Sequence, residues 1–139
     1  MCPSTPTELS ERHDTKVLYG ELVGRLLWIA RNTRPDIAHA VDVLCRFIAN
    51  PGRRHWNSAK LDLRYLSGTG NFGIKYDHDT TKCAQFTVQA FTDADWVGDP
   101  DTRRSITANV FLAANGPVAW RSTLQRRPSQ SSCEAEYVA

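Results

Sequence analysis

Apolar positions along the chain follow two regimes. From Val17 onward, Leu18, Leu22, Leu26 and Ile29 recur at helical spacing and predict an amphipathic helix with that face inward. Residues 1–15 are polar and Pro-containing and read as a leader rather than a core element. Asn32 and Thr33 interrupt the run, and Pro35 suits the first turn of a second helix, where a missing N–H costs nothing. Ile37, Val41, Leu44 and Ile48 mark its inner face, and Asn50-Pro51-Gly52 marks its stop. A third helix is predicted over 55–66, burying Ala59, Leu63 and Leu66, with Ser67-Gly68-Thr69-Gly70 closing it. Beyond Gly70 the alternation becomes strand-like. It runs through Phe72, Ile74 and Tyr76, then Phe86, Val88 and Ala90, then Ile106, Ala108, Val110 and Leu112. Asn115-Gly116 predicts a hairpin that returns through Val118 and Trp120. After a polar loop from Gln125 to Gln130, Ser131 and Glu134 stand in capping-box spacing and predict a helix start. The expected class is α+β: a helical segment over 16–70, then a sheet and the beginning of a helix over 71–139.

Composition narrows this only slightly. Apolar residues make up 41% and charged residues 23%, which suits a globular chain and excludes wholesale disorder. The formal net charge of +2 demands no polyanionic partner by itself. Cys2, Cys45, Cys83 and Cys133 form no CxxC pair, and His13, His39, His55 and His78 stand in no zinc-like spacing with them. Reduced thiols are the simpler reading. The first residues show neither a basic nor an apolar signal region, and no apolar run approaches the ~20 residues of a membrane span. No membrane role is expected.

The chemistry-bearing cluster is Asp93, Asp95, Asp99 and Asp101. An EF-hand counted from Asp93 would need an oxygen ligand at Val97 and an acid at Arg104, so that reading fails. Asp95, Asp99 and Asp101 read as a polar turn, with Asp99-Pro100 as its initiator. Asp93 is expected at the end of a half-buried strand, and Glu136 on the last helix. A strand acid and a helix acid are hard oxygen ligands of the kind that hold magnesium at a phosphodiester.

Several segments, in order, carry a family resemblance: Tyr19-Gly20-Glu21-Leu22-Val23-Gly24, Thr33-Arg34-Pro35-Asp36-Ile37-Ala38, Arg54-His55-Trp56-Asn57-Ser58-Ala59-Lys60, Thr92-Asp93-Ala94-Asp95-Trp96-Val97-Gly98-Asp99, Asp101-Thr102-Arg103-Arg104-Ser105 and Ser131-Ser132-Cys133-Glu134-Ala135-Glu136-Tyr137. With them the chain resembles the Ty1/copia-type retrotransposon Pol polyprotein, from the end of reverse transcriptase into ribonuclease H. The resemblance implies a helical reverse transcriptase connection-like segment over 16–70 and a truncated ribonuclease H-like domain over 71–139. It makes Asp93 and Glu136 the first two catalytic, metal-binding acids of an incomplete, vestigial site. Two further acids are expected downstream of Ala139 and the polymerase aspartates upstream of Met1, so no enzyme is expected in these residues. Mg2+ serves the parent family, and no functional cofactor is expected here. Ala108-Asn109 replaces the family's usual Gly-Tyr, and His39 replaces an aromatic or apolar residue.

Arg53, Arg54, Lys60 and Arg64, with His55 and Trp56 among them, could lie beside a template–primer backbone. A solvated helix face with long stems covering apolar surface is the preferred account. The chain also resembles the secreted RxLR effector 161-type proteins of downy mildew oomycetes, which enter plant cells and dampen host defence, including cell death. No strict Arg-x-Leu-Arg is present; Leu61-Asp62-Leu63-Arg64 and Arg64-Tyr65-Leu66-Ser67 come nearest. The resemblance implies a binding protein of the host cytoplasm or nucleus; the alternative is a Pol remnant without independent function. In the ribonuclease H fold the first strand, here 85–92, pairs on both sides. Its expected open edge points to a host protein or a second copy as partner.

Overall fold

The computed structural model describes residues 6–77, 87–99 and 102–139. Among them four helices and a three-stranded antiparallel sheet form a mixed α+β structure. Helix α1 spans Pro6–Asn32, a 3-10 turn follows at Pro35–Ile37, and α2 and α3 span Ala38–Cys45 and Arg53–Gly68. Strands β1 (Val88–Asp95), β2 (Ile106–Ala113) and β3 (Gly116–Leu124) lie in the order β1-β2-β3, and α4 spans Ser132–Val138. No helix among the described residues is long and apolar enough to cross a membrane.

The helical core differs from the expected one by a rotation. Tyr19, Val23, Leu26 and Ala30 are the buried face of α1, whereas Leu18 is 56% exposed. Leu26 is buried as predicted, while Tyr19, Val23 and Ala30 take the places expected of Leu18, Leu22 and Ile29, and the Tyr19 hydroxyl reaches across to donate to the Leu44 carbonyl at 3.0 Å. That carbonyl, in the last turn of α2, also accepts from the Phe47 N–H at 3.1 Å, and the Tyr19 ring packs edge-on against Trp56, with centroids 5.6 Å apart. Ile37, Val41 and Leu44 complete the core as predicted, together with Ala59, but Ile48, expected on the same face, lies past the end of α2 and is exposed. Leu63 is exposed, and Leu66 packs only partly. The first helix begins at Pro6 rather than Val17. Proline is well tolerated in a first turn, and a polar helical turn needs no apolar periodicity.

No strand forms among the described residues 72–77, although Phe72, Ile74 and Tyr76 alternate. The segment crosses the β2–β3 turn instead of running along a strand. The Asp77 N–H donates to the Ala114 carbonyl at 2.8 Å, and the Tyr76 hydroxyl donates to the Pro117 carbonyl at 2.9 Å. This crossing also explains the hairpin. Ala114 and Asn115 occupy the turn, with φ of 49° and 59°, and Gly116 already pairs with Ala113. A Cβ at Gly116 would stand 2.6 Å from the Lys75 carbonyl oxygen. The glycine is there for the approach of another backbone, not for a left-handed conformation.

The first strand is the largest departure. Each of its residues is exposed except Ala94, where a half-buried strand ending at Thr92 was expected. Gln85 and Phe86 lie outside the described residues. The helical segment covers β3, not β1: the Trp120 indole N–H donates to the Ala30 carbonyl at 2.7 Å, and His39 meets Ser122. The predicted N-cap of α4 is present, with the Glu134 N–H donating to the Ser131 hydroxyl at 3.1 Å. The reciprocal arm moves one residue, because the Glu134 carboxylate accepts from the Gln130 N–H at 2.7 Å.

Candidate functional site

Asp93 pairs with Ala108 across β1 and β2, and Ala108 pairs with Ser122 on β3. Residues in direct register share a face, so these three point the same way. That face meets the start of α2 across a cleft of about 510 Å³, lined by Phe91, Asp93, Asp95, His39 and Trp120 among others. Ser122 Oγ lies 3.3 Å from His39 Nδ1. Both Asp93 and Asp95 are exposed, and neither is ion-paired among the described residues.

Glu136 stands elsewhere. It is exposed on α4, whose buried Ala135 anchors the helix. The Gln125 side-chain amide donates to the Ala135 carbonyl at 2.9 Å and to the Thr107 hydroxyl at 3.0 Å. Thr107 and Ala108 are neighbours on one strand and point to opposite faces. Asp93 therefore lies on the face away from the one that receives α4. Magnesium requires several oxygen ligands in near-octahedral array. Among the described residues no three His, Cys, Asp or Glu side chains are placed to hold an ion. The described acids do not by themselves complete a two-metal centre.

Asp99, expected only as a turn residue, has a larger part. Its carboxylate accepts from the Thr102 N–H at 3.0 Å and from the Thr102 hydroxyl, and Arg46 reaches it from beyond α2 at 3.1 Å. The Thr102 hydroxyl bond, foremost, holds this carboxyl below its ordinary pKa, with Arg46 adding to the effect. Asp101 lies outside the described residues. Arg53, Arg54, Lys60 and Arg64 are all exposed on α3 and make no ion pair among the described residues, so α3 presents a solvated basic face.

The densest polar cluster is one that sequence reasoning did not single out. Arg34 is only 7% exposed. Its guanidinium donates to Asp36 at 2.7 and 3.0 Å, to the Thr69 carbonyl at 3.0 Å and to the Thr69 hydroxyl at 2.6 Å. The Tyr65 hydroxyl donates to Asp36 at 2.8 Å, and Arg34 sits 5.5 Å from the Tyr65 ring centroid and 5.8 Å from that of Phe72. The only sequence signal was Arg34-Pro35-Asp36 within a family segment, which carries no information about the distant Thr69.

Known proteins are similar to this chain over most of its length. The Retrovirus-related Pol polyprotein from transposon TNT 1-94 of Nicotiana tabacum is 42% identical over 144 aligned residues, covering 100% of this chain and 10% of that protein. Secreted RxLR effector protein 161 of Plasmopara viticola is 39% identical over 123 residues, covering 88% of this chain and 84% of that protein. Over most of its length the chain is similar to Pol polyproteins of copia-type retrotransposons. An uncharacterized mitochondrial protein of Arabidopsis thaliana is 36% identical over 87% of the chain and 48% of its own length. The chain spans about a tenth of the tobacco polyprotein. No family model matches it, and no solved structure does.

Proposed function

We propose that this chain is a segment of a copia-type Pol polyprotein that joins the helical end of reverse transcriptase to the opening of a ribonuclease H-like domain. Residues 16–70 are the connection and 71–139 the ribonuclease H-like part. The observation that carries this reading is similarity to a Pol polyprotein along the whole chain. It takes precedence over the effector role expected from the sequence, because Pol polyproteins from tobacco and Arabidopsis recur among the relatives. By themselves these residues do not catalyse. Asp93 and Glu136 are two exposed carboxylates on different faces, and two-metal hydrolysis needs a clamp on both the attacking and leaving oxygens.

The test is an RNA–DNA hybrid incubated with the purified chain and Mg2+ or Mn2+. No cleavage above a metal-only control is expected. Metal-dependent cleavage that vanishes in Asp93→Asn would overturn the reading. A second reading, a binding protein inside plant cells, is favoured by the 84% coverage of the effector relative. It requires suppression of induced cell death on expression in leaves, retained in Asp93→Ala. A chain that accumulates without suppressing cell death excludes it.

A further inference from the structure

Ser129, in the loop between β3 and α4, is the one serine or threonine of the chain preceded by arginines at both the third and the second position, as Arg126-Arg127-Pro128-Ser129. Arg126, Arg127 and Pro128 are exposed, and Ser129 is half-buried. From Arg126 to Ser129 the backbone is neither helix nor strand, and none of its N–H groups is hydrogen-bonded among the described residues. The Ser129 carbonyl accepts from the Trp96 indole at 3.2 Å. The stretch can therefore open into an extended form at little cost. Two guanidinium groups on such a stretch fit the acidic subsites by which a basophilic protein kinase reads the residues before its target hydroxyl. The other neighbours exclude other kinase chemistries. Pro128 precedes Ser129, where a proline-directed kinase reads the residue after, and Gln130, Ser131 and Ser132 supply no acid. Thr15, Ser67 and Thr107 also follow an arginine by three residues, but Thr15 and Ser67 lie within α1 and α3, and Thr107 is 8% exposed in β2.

We propose that Ser129 is a phosphorylation site for a basophilic serine/threonine kinase and that the phosphate loosens the seat of α4. In the transfer the Ser129 oxygen bonds to the γ-phosphorus of a nucleoside triphosphate and the bond from that phosphorus to the bridging oxygen breaks. The nucleoside diphosphate leaves, and the hydroxyl proton passes to the base of the kinase. The effect on α4 runs through Gln125. Ser129 Oγ donates to Gln125 Oε1 at 2.9 Å, while Gln125 Nε2 donates to the Thr107 hydroxyl and to the Ala135 carbonyl. Gln125 is 6% exposed, and its amide cannot turn nitrogen toward Ser129 without giving up both of those bonds. A phosphoserine offers acceptor oxygens in place of the hydroxyl donor, so a buried acceptor is left unpaired. Glu134, whose carboxylate accepts from the Gln130 N–H at 2.7 Å, adds like-charge repulsion. The loop, Gln125 and their partners all lie between Trp96 and Ala135, so the inference rests neither on where the sequence stops nor on which reading of function holds.

The test incubates the purified chain with Mg2+, ATP and the catalytic subunit of cyclic AMP-dependent protein kinase, and maps phosphate by mass spectrometry. Ser129 should be the main acceptor, and Ser129→Ala should take up little. Arg126→Ala with Arg127→Ala should lower kcat/KM by about tenfold or more. Both arginines are exposed, so the double variant is expected to keep its circular dichroism spectrum. The phosphorylated chain should melt about 4 °C or more below the unmodified one, as one unpaired buried acceptor requires. Phosphate mainly at Thr15, Ser67 or Thr107, none at Ser129, or uptake indifferent to the two arginines overturns the site. An unchanged or raised Tm after full phosphorylation overturns the loosening of α4.

Discussion

Replacing Arg34 tests whether the clamp between the first loop and the end of α3 holds the helical core together. Arg34→Ala removes two hydrogen bonds to Thr69 and a forked ion pair with Asp36. Charged hydrogen bonds stabilise by about 1.5–3 kcal/mol each. The Asp36 side chain is 33% exposed, so its pairing is discounted to about 1 kcal/mol. Contacts sharing one side chain do not add in full, and the expected loss is about 3 kcal/mol. For a chain of this length that lowers Tm by roughly 12 °C. Arg34→Lys keeps the charge but not the planar fork, and should recover less than half of the loss. Thermal and urea unfolding followed by far-ultraviolet circular dichroism measure both. The pH dependence has a defined sign. The Arg34 hydrogen bond, with help from Tyr65, holds the Asp36 carboxyl below its ordinary value. The stability it contributes is complete above the unfolded carboxyl pKa of about 3.9 and fades as pH falls through the lower folded value. The gap between wild type and Arg34→Ala should therefore narrow in strong acid. A loss under about 1 kcal/mol, or a lysine variant equal to wild type, would refute the clamp.

Three further substitutions probe the packing. Trp120→Phe deletes the indole N–H that meets the Ala30 carbonyl and should cost about 1–2 kcal/mol by urea unfolding, while Trp28→Phe, at a site 66% exposed, should stay within about 0.5 kcal/mol; equal effects would mean that the indole bond does not hold the sheet to α1. Burial raises the Asp62 carboxyl pKa. Its ionisation at neutral pH therefore opposes folding, and Asp62→Asn should raise Tm at pH 7, with the advantage disappearing as pH falls below the ordinary carboxylate range. A lower Tm at pH 7 would contradict the buried-acid account.

Local chemistry was enough to place most elements. Proline at 35 and the Ser131 cap each act within a few residues and mark boundaries that the structure reproduces closely, whereas α2 ends at Cys45, before the Asn50-Pro51-Gly52 stop, and the period change after Gly70 marks the end of α3 but not the start of a strand. The family segments likewise identified Asp93 and Glu136 as the acids to follow. What periodicity could not supply was which side of an element meets which neighbour. Leu18 and Leu22 look as apolar as Tyr19 and Val23, but only the Tyr19 hydroxyl also bonds across to the Leu44 carbonyl, a contact 25 residues away that periodicity does not report. Phe72, Ile74 and Tyr76 alternate like a strand, yet their backbone lies across a hairpin and finds no ladder. Gly116 reads as a turn glycine and is instead a point of close backbone contact. Asp93 and Glu136 were both found in the sequence, but their separation onto two faces follows from strand register and from the Gln125 bonds that seat α4. Spacing along a chain reports hydrophobic period and capping, both local quantities. Faces, edges and clamps depend on pairs of groups tens of residues apart, and only the folded chain brings those together.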